Sequence, residues 1–380
     1  MMKILIPHSW SPNVGDMALL KTSIRWMREI VPKSEITALV SDPKFTRKKC
    51  PEVDVKLERW PWPVKKKSRL DILNYPFIYG SHILSVLVFR FIGKKFFLFN
   101  REFEKPLIEF FNCDVLISPG GDFISPKYGF VTTFSEFLFA KILKKKIIIL
   151  PQTFGPFEGL LNGNFASLFL NMADLIFVRE EKSARLLKEI GVKKAKLTAD
   201  IVFTYPQPEK TKREKRVIFC AENVKSKRYA SSMIELSKKV AKSGFQVVFM
   251  PANGADVEIN KILAEKSNAK SIGIVQNPDE VAALVAGSEF IISSRMHPLV
   301  LGTLSATPFF AIGNTFKFKE VLGDFAKDSW SKVDEIDIEK IMGKIEKRNE
   351  IGILISENFK MVRKRSEKTK EMIREEIRSW

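Results

Sequence analysis

The run Ser293-Ser294-Arg295-Met296-His297-Pro298 places an arginine and a histidine two residues apart. A guanidinium grips a carboxylate or phosphate through paired N–H groups, and an imidazole exchanges protons near neutral pH. Side by side they suit an anionic substrate undergoing acid–base chemistry. An apolar stretch that reads as a strand, Phe290 to Ser293, leads into the run, and an apolar helix follows it. Open α/β sheets bind their ligands at such strand ends. Ser294 is a further substrate-binding candidate there. Lys317, with Lys319, follows the next expected strand, Phe309 to Ile312, and adds a second cation.

Four other groups stand at the ends of expected strands. In Asn13-Val14-Gly15-Asp16, Gly15 permits a tight turn and Asp16 is placed to N-cap a helix from Met17 to Ile30. The alternative is functional: Asn13 and Asp16 line a cleft, with Asp16 accepting a proton from a substrate hydroxyl. Gly120 and Gly121 follow the strand Val115 to Ser118 and let a ligand approach the backbone, or simply form a turn. They lack the spaced glycines of a dinucleotide fingerprint. Gln152 follows the strand Ile147 to Leu150, and its amide offers donors and an acceptor to sugar hydroxyls. Arg179 leaves the strand Leu175 to Val178 and Ser183 opens the next helix. An Arg fork near a helix N-terminus suits an anion, while an Arg–Glu surface pair is the competing reading.

To position these groups the chain needs parallel strands. Its apolar runs are continuous rather than alternating, the pattern of strands buried on both faces, and helical segments separate them. Further strands are expected at Lys3–Pro7, Ile36–Val40, Lys196–Ala199, Val217–Cys220, Val247–Met250 and Ser271–Val275. At 380 residues the chain exceeds one ordinary core. Tyr205-Pro206-Gln207-Pro208, followed by charged residues to Arg216, reads as a linker. The expected organisation is a doubly wound parallel-sheet domain over 1–206, a second over 213–330, and a helical tail over 331–380 ending in a polar helix from about Ser356 to Ser379.

Sixty-three Lys and Arg against 44 Asp and Glu give a net charge of +19, which favours an anionic partner. No nucleic-acid motif accompanies the charge, so nucleic acid is not the expected partner. Three scattered cysteines show no metal-ligand spacing and fit a reducing interior. The N-terminus does not resemble a signal peptide, so the expected location is cytoplasmic. One segment, residues 60–100, breaks the α/β rhythm. It holds Trp60-Pro61-Trp62-Pro63, three lysines, and a strongly apolar stretch from His82 to Phe99. Arg90, Lys94 and Lys95 interrupt that stretch, which makes it a poor spanning helix. Two readings compete: a core helix plus strand, or a peripheral contact with an anionic bilayer.

Taken together the motifs resemble the polysaccharide pyruvyl transferase family. The shared features are Asn13-x-Gly15-Asp16-x-Ala18-Leu19, Gly120-Gly121, Pro151-Gln152-x-x-Gly155-Pro156, Arg179-Glu180-x-x-Ser183, Asp200, Ser294-Arg295-x-His297, Pro308 and Lys317, in family order over residues 3–325. Asp122 stands where the family usually has a third glycine, and Asn314 where it often has a tyrosine. The resemblance implies two facing Rossmann-like domains of GT-B type. It also implies transfer of pyruvate from phosphoenolpyruvate to two hydroxyls of a sugar or glycan precursor at the cell surface, forming a cyclic ketal and releasing phosphate. Phosphoenolpyruvate is then a substrate, with no cofactor and no metal expected; whether the acceptor is lipid-linked stays open. Arg295, Lys317 and Arg179 are expected to bind the donor's charges, His297 to do acid–base work, and Asp16 to act as base from the opposite domain. The rival readings are a nucleotide-sugar glycosyltransferase of the same architecture and a non-catalytic membrane-surface or nucleic-acid-binding protein.

Overall fold

The apolar runs become the inner strands of two all-parallel sheets. A computed structural model describes residues 1–59, 69–97, 104–125, 130–157, 160–273, 275, 277–314, 316–323, 325 and 328–380. Two units emerge. The first comprises Met1–Ser11, Ser23–Thr198 and Ile373–Trp380; the second comprises Pro12–Thr22 and Ala199–Met372.

The first unit carries β1 (Lys3–Ile6), β2 (Glu35–Val40), β3 (Lys56–Arg59), β4 (Val115–Ser118), β5 (Lys146–Gln152), β6 (Leu175–Val178) and β7 (Ala195–Leu197). Their order is β3-β2-β1-β4-β5-β6-β7. The order reverses direction beside β1, which pairs with β2 on one side and β4 on the other. Its helices are α1 (Val14–Ile30), whose first turns belong to the second unit, α2 (Pro43–Lys49), α3 (Arg69–Ile92), α4 (Glu104–Asn112), α5 (Phe130–Ile142), α6 (Leu160–Leu170) and α7 (Glu181–Glu189). Val115–Ser118 and Leu175–Val178 are buried throughout, as strands covered on both faces must be. A phenylalanine-rich layer fills the helix side: Phe89 of α3 stacks on Phe111 of α4 at 4.2 Å, and Phe134 of α5 on Phe169 of α6 at 5.0 Å.

The second unit carries β8 (Glu214–Cys220), β9 (Gln246–Phe249), β10 (Lys270–Ser271), β11 (Ser288–Ser293), β12 (Phe309–Ile312) and β13 (Trp330–Ser331). The order is β10-β9-β8-β11-β12-β13, again reversing at the first strand of the set. Its helices are α8 (Lys227–Lys242), α9 (Val257–Ser267), α10 (Pro278–Ala286), α11 (Met296–Thr303), α12 (Phe316–Val321), α13 (Ile338–Glu346) and α14 (Arg348–Arg378). Local signals fix several starts. The Ser226 hydroxyl accepts from the Tyr229 amide to cap α8, and Asn277 caps α10 ahead of Pro278.

Some expectations change. The presumed linker is bound along the second unit: Tyr205 is buried with its hydroxyl donating to Asp279, and Gln207 and Arg213 donate to the carbonyls of Leu304 and Ser305. The apolar segment holds helix α3 but no strand over residues 93–97. Gly93, at φ 74°, ends α3 in the left-handed conformation that favours glycine. Trp60 to Pro63, the three lysines and Leu98–Phe99 lie outside the described residues. The final helix starts at Arg348 rather than Ser356, and its last residues join the first unit, where Lys146 lies 5.0 Å from the Trp380 ring.

Candidate functional site

His297 sits in the first turn of α11, just beyond β11. Its imidazole lies against the backbone of Gly15: a Cβ at that position would come within 2.1 Å of Nδ1 and 2.6 Å of Cγ. Gly15 is therefore needed for close approach, not for the tight turn the sequence suggested. It lies inside α1, and the Asn13 side chain caps that helix by accepting from the Gly15 amide at 2.8 Å. Asp16 falls in the first turn and is buried, so it is not the cap residue. On its other side, His297 Nε2 is buried and has no hydrogen-bond partner among the described residues. The nearest acid is Asp200, with Oδ2 at 3.7 Å. Asp200 is buried, and its Oδ1 accepts from the Val202 amide, capping the 3-10 turn Ile201–Thr204.

The segment before Gly15 is pinned to the same unit. Asn13 bridges Asn253, the Val14 amide donates to the Ala252 carbonyl, and the Gly254 amide donates to the Pro12 carbonyl. Asn13, Gly15 and Asp16 thus stand with His297 in one unit. Asp16 was expected on the opposite domain; the tertiary pairing of Pro12–Val14 with residues 252–254 places it here instead.

Arg295 is engaged by two carboxylates. Nε and Nη2 donate to the two oxygens of buried Asp256, each at 2.8 Å, and Nη1 lies 2.9 Å from Glu222 Oε1. The paired N–H groups expected to receive the substrate's anion are filled by Asp256. Glu222 is the replaceable member, since its side chain is 35% exposed while that of Asp256 is fully buried. Ser294 turns inward, its hydroxyl 2.7 Å from that of buried Tyr229. Burial raises the Tyr229 phenol well above its usual range, so it stays protonated. Lys317 lies on α12.

A second group occupies the strand ends of the first unit. Gly121, at φ 124°, bridges Gln152, and its carbonyl accepts from the Thr153 amide. Gln152 is buried; its Nε2 donates to Ser118 Oγ at 2.7 Å, and its Oε1 has no hydrogen-bond partner among the described residues. Ser118 Oγ is 3.3 Å from His8 Nε2, and His8 Nδ1 is 2.7 Å from Glu136 Oε2. All four side chains are fully buried. With Gln152 donating, the Ser118 hydroxyl can donate onward to His8, whose Nδ1–H meets the Glu136 carboxylate. The relay sets the amide so that its carbonyl oxygen carries the unspent bonding capacity. Arg179 is buried as well: Nε donates to Thr153 Oγ1 at 2.9 Å and lies 3.7 Å from Glu180 Oε2. It belongs to a buried tether rather than a surface pair. Ser183 completes that tether, accepting from the Phe154 amide and donating to Glu180.

Residues 13–315 match the profile of the family described as polysaccharide pyruvyl transferase. The chain belongs to that family.

Within this pyruvyl transferase family member, the predicted residues form two sets. Asn13, Gly15, Asp16, Ser294, Arg295 and His297 gather in the second unit; Gly120, Gly121, Gln152, Arg179 and Ser183 gather in the first. The fold is GT-B-like. It resembles the UDP-GlcNAc 2-epimerase from Neisseria meningitidis bound to UDP-GlcNAc, with TM-score 0.59 and 15% identity over 98% of this chain and 99% of that one. It also resembles S. aureus MnaA in its UDP co-structure, with TM-score 0.61 and 12% identity over 94% and 91%. A third likeness is to Anabaena HepE in complex with UDP and glucose, with TM-score 0.59 and 13% identity over 100% of both chains. At such identities the likeness is one of fold. None of the curated proteins matches the chain in sequence.

Sequence reasoning passed over Glu222, Asp256, His8 and Glu136. Each is a single charged or titratable residue without motif spacing. His8 carried the one available signal, since it lies two residues past the end of β1 and is one of only three histidines.

Proposed function

We propose that this family member transfers pyruvate from phosphoenolpyruvate to two hydroxyls of a sugar or glycan precursor, forming a cyclic ketal. A proton is added to the donor's methylene carbon, both hydroxyl oxygens bond to C2, the C2–O bond to phosphate breaks, and the hydroxyl protons leave. One ketal and one phosphate result. The observation that carries the reading, beside the family match, is the placement of His297. It is an imidazole held against Gly15, with its second nitrogen turned toward buried Asp200, at the ligand-binding end of a parallel sheet.

His297 is the proposed proton carrier, and Asp200 compensates the charge the ring gains when it accepts a proton. Arg295 is proposed to meet the donor through its Nη1 edge, where the donor's anion replaces Glu222; the Asp256 pair holds the guanidinium in position. Lys317 supplies a second positive charge. Asp16, one residue after Gly15 on α1, is proposed as the base for an acceptor hydroxyl. The acceptor is a sugar or glycan, and the setting is the cytoplasmic assembly of cell-envelope polysaccharide.

The test is acceptor-dependent phosphate release by His297→Ala. General acid–base groups contribute about a hundred- to ten-thousandfold, so a loss of at least about a hundredfold is expected. Near wild-type turnover by the folded variant removes His297 from the chemistry.

A further inference from the structure

Helix α3 carries no charged residue from Ile72 to Phe89, yet it lies at the protein surface. One face is ordinary. His82, Ser85 and Val86 are buried, and Phe89 stacks on Phe111. The opposite face is unusual. Phe77, Leu84 and Phe91 recur every seventh residue, so they line one side of the helix, and they are 74%, 43% and 79% exposed. Ile92 extends the stripe at 64% exposure. A single exposed apolar residue needs no explanation, but an aligned stripe marks an interaction surface.

The charges beside the stripe identify what it meets. Lys94 and Lys95 are exposed just past Gly93, and the Arg90 guanidinium lies 5.9 Å from the centre of the Phe91 ring. Between Asp71 and Glu102 the sequence has no acidic residue. A second copy joined through this stripe would bring its own cations and, from the same segment, no carboxylate to pair with them. An anionic bilayer supplies both an apolar layer for the stripe and negative headgroups for the lysines. Among the described residues no helix is long and apolar enough to cross a membrane.

We infer that the exposed stripe of α3, with Lys94 and Lys95, docks the protein on an anionic membrane surface. The helix lies in the plane of the interface, Phe91 and Ile92 enter the acyl boundary, and the lysines stay at headgroup level. The docking itself does not depend on the transferase reading.

Flotation of the full chain with vesicles tests this. Vesicles of equal parts phosphatidylglycerol and phosphatidylcholine are compared with phosphatidylcholine alone, at low and high salt. The expected result is co-flotation with the anionic vesicles, reduced by salt. Two variants separate the components: Phe91→Gln/Ile92→Gln removes apolar contact, and Lys94→Glu/Lys95→Glu reverses charge. Each is expected to weaken binding about tenfold or more. Circular dichroism melts confirm that both fold. No co-flotation at low salt overturns the proposal. So does binding that both variants leave unchanged, which would assign it to the diffuse positive charge. A concentration-dependent dimer abolished by Phe91→Gln/Ile92→Gln also overturns it, because the stripe would then be covered by another copy.

Discussion

Gly15 is where this account is most exposed at the level of single residues. A glycine inside a helix costs about 1 kcal/mol relative to alanine, so Gly15→Ala should leave the fold as stable or more so on helix propensity alone. Its methyl group, however, would meet His297 within 2.1 Å of Nδ1. The imidazole must move, and a shift of that order costs about a hundredfold in rate. The expected variant folds, with overpacking of about 1–3 kcal/mol offsetting the helix gain, and is nearly inactive; full activity in kinetic assays would show that the contact does not position the ring. Glu222 gives a second prediction of opposite sign. Among the described residues Arg295 is engaged by two carboxylates, and Glu222 is the more exposed of them. If the donor takes its place, Glu222→Gln should lower the KM for phosphoenolpyruvate about fivefold, the effect of about 1 kcal/mol at an exposed pair. A raised KM would mean that Glu222 orders the site instead. The sequence made Arg295 and His297 legible because two distinctive side chains stood at a strand end. It did not reveal Asp256, because the paired contact joins residues separated by two helices, two strands and their loops.

The strands were legible wherever burial on both faces demanded unbroken apolar runs, as at Val115–Ser118 and Phe309–Ile312. The edges were not. β3 reads Lys-Leu-Glu-Arg, since an edge strand keeps only part of its surface from water, and β13 has just two residues. In α3 the buried face has a measurable signature. Burial pushes the His82 imidazole from 6.5 down to about 4. The folded state thus resists a proton that the unfolded chain accepts, and stability falls as pH drops from about 6.5 to about 4 before levelling off. His82→Leu should flatten that part of the stability curve in denaturant titrations at several pH values. An unchanged acid slope would locate the acid sensitivity elsewhere. The three cysteines, all buried, are not reactive positions; burial holds the Cys113 thiol up to about 12.

In the whole molecule, the chain's course matters more than its composition. Two parallel sheets were expected from alternating strand and helix patterns, and two are present, each reversing its strand order beside its first strand. The assignment of Pro12–Thr22 to the second unit was not legible, because hydrogen bonds to residues 252–254 are non-local and leave no periodic trace. That crossing joins Asn13, Gly15 and Asp16 to His297 and gives the proposed chemistry a complete set of acid–base groups in one unit. The net charge of +19 agrees with an anionic donor and an anionic surface alike, so charge alone does not choose between them. Chemistry does. The decisive measurement is incubation of the purified chain with phosphoenolpyruvate and a panel of lipid-linked and nucleotide-linked sugars, following acceptor mass and free phosphate together. The account predicts an acceptor that gains one pyruvate less one water, with one phosphate released per ketal and none without acceptor. Transfer of a sugar from a nucleotide-linked donor, with phosphoenolpyruvate left untouched, would contradict it.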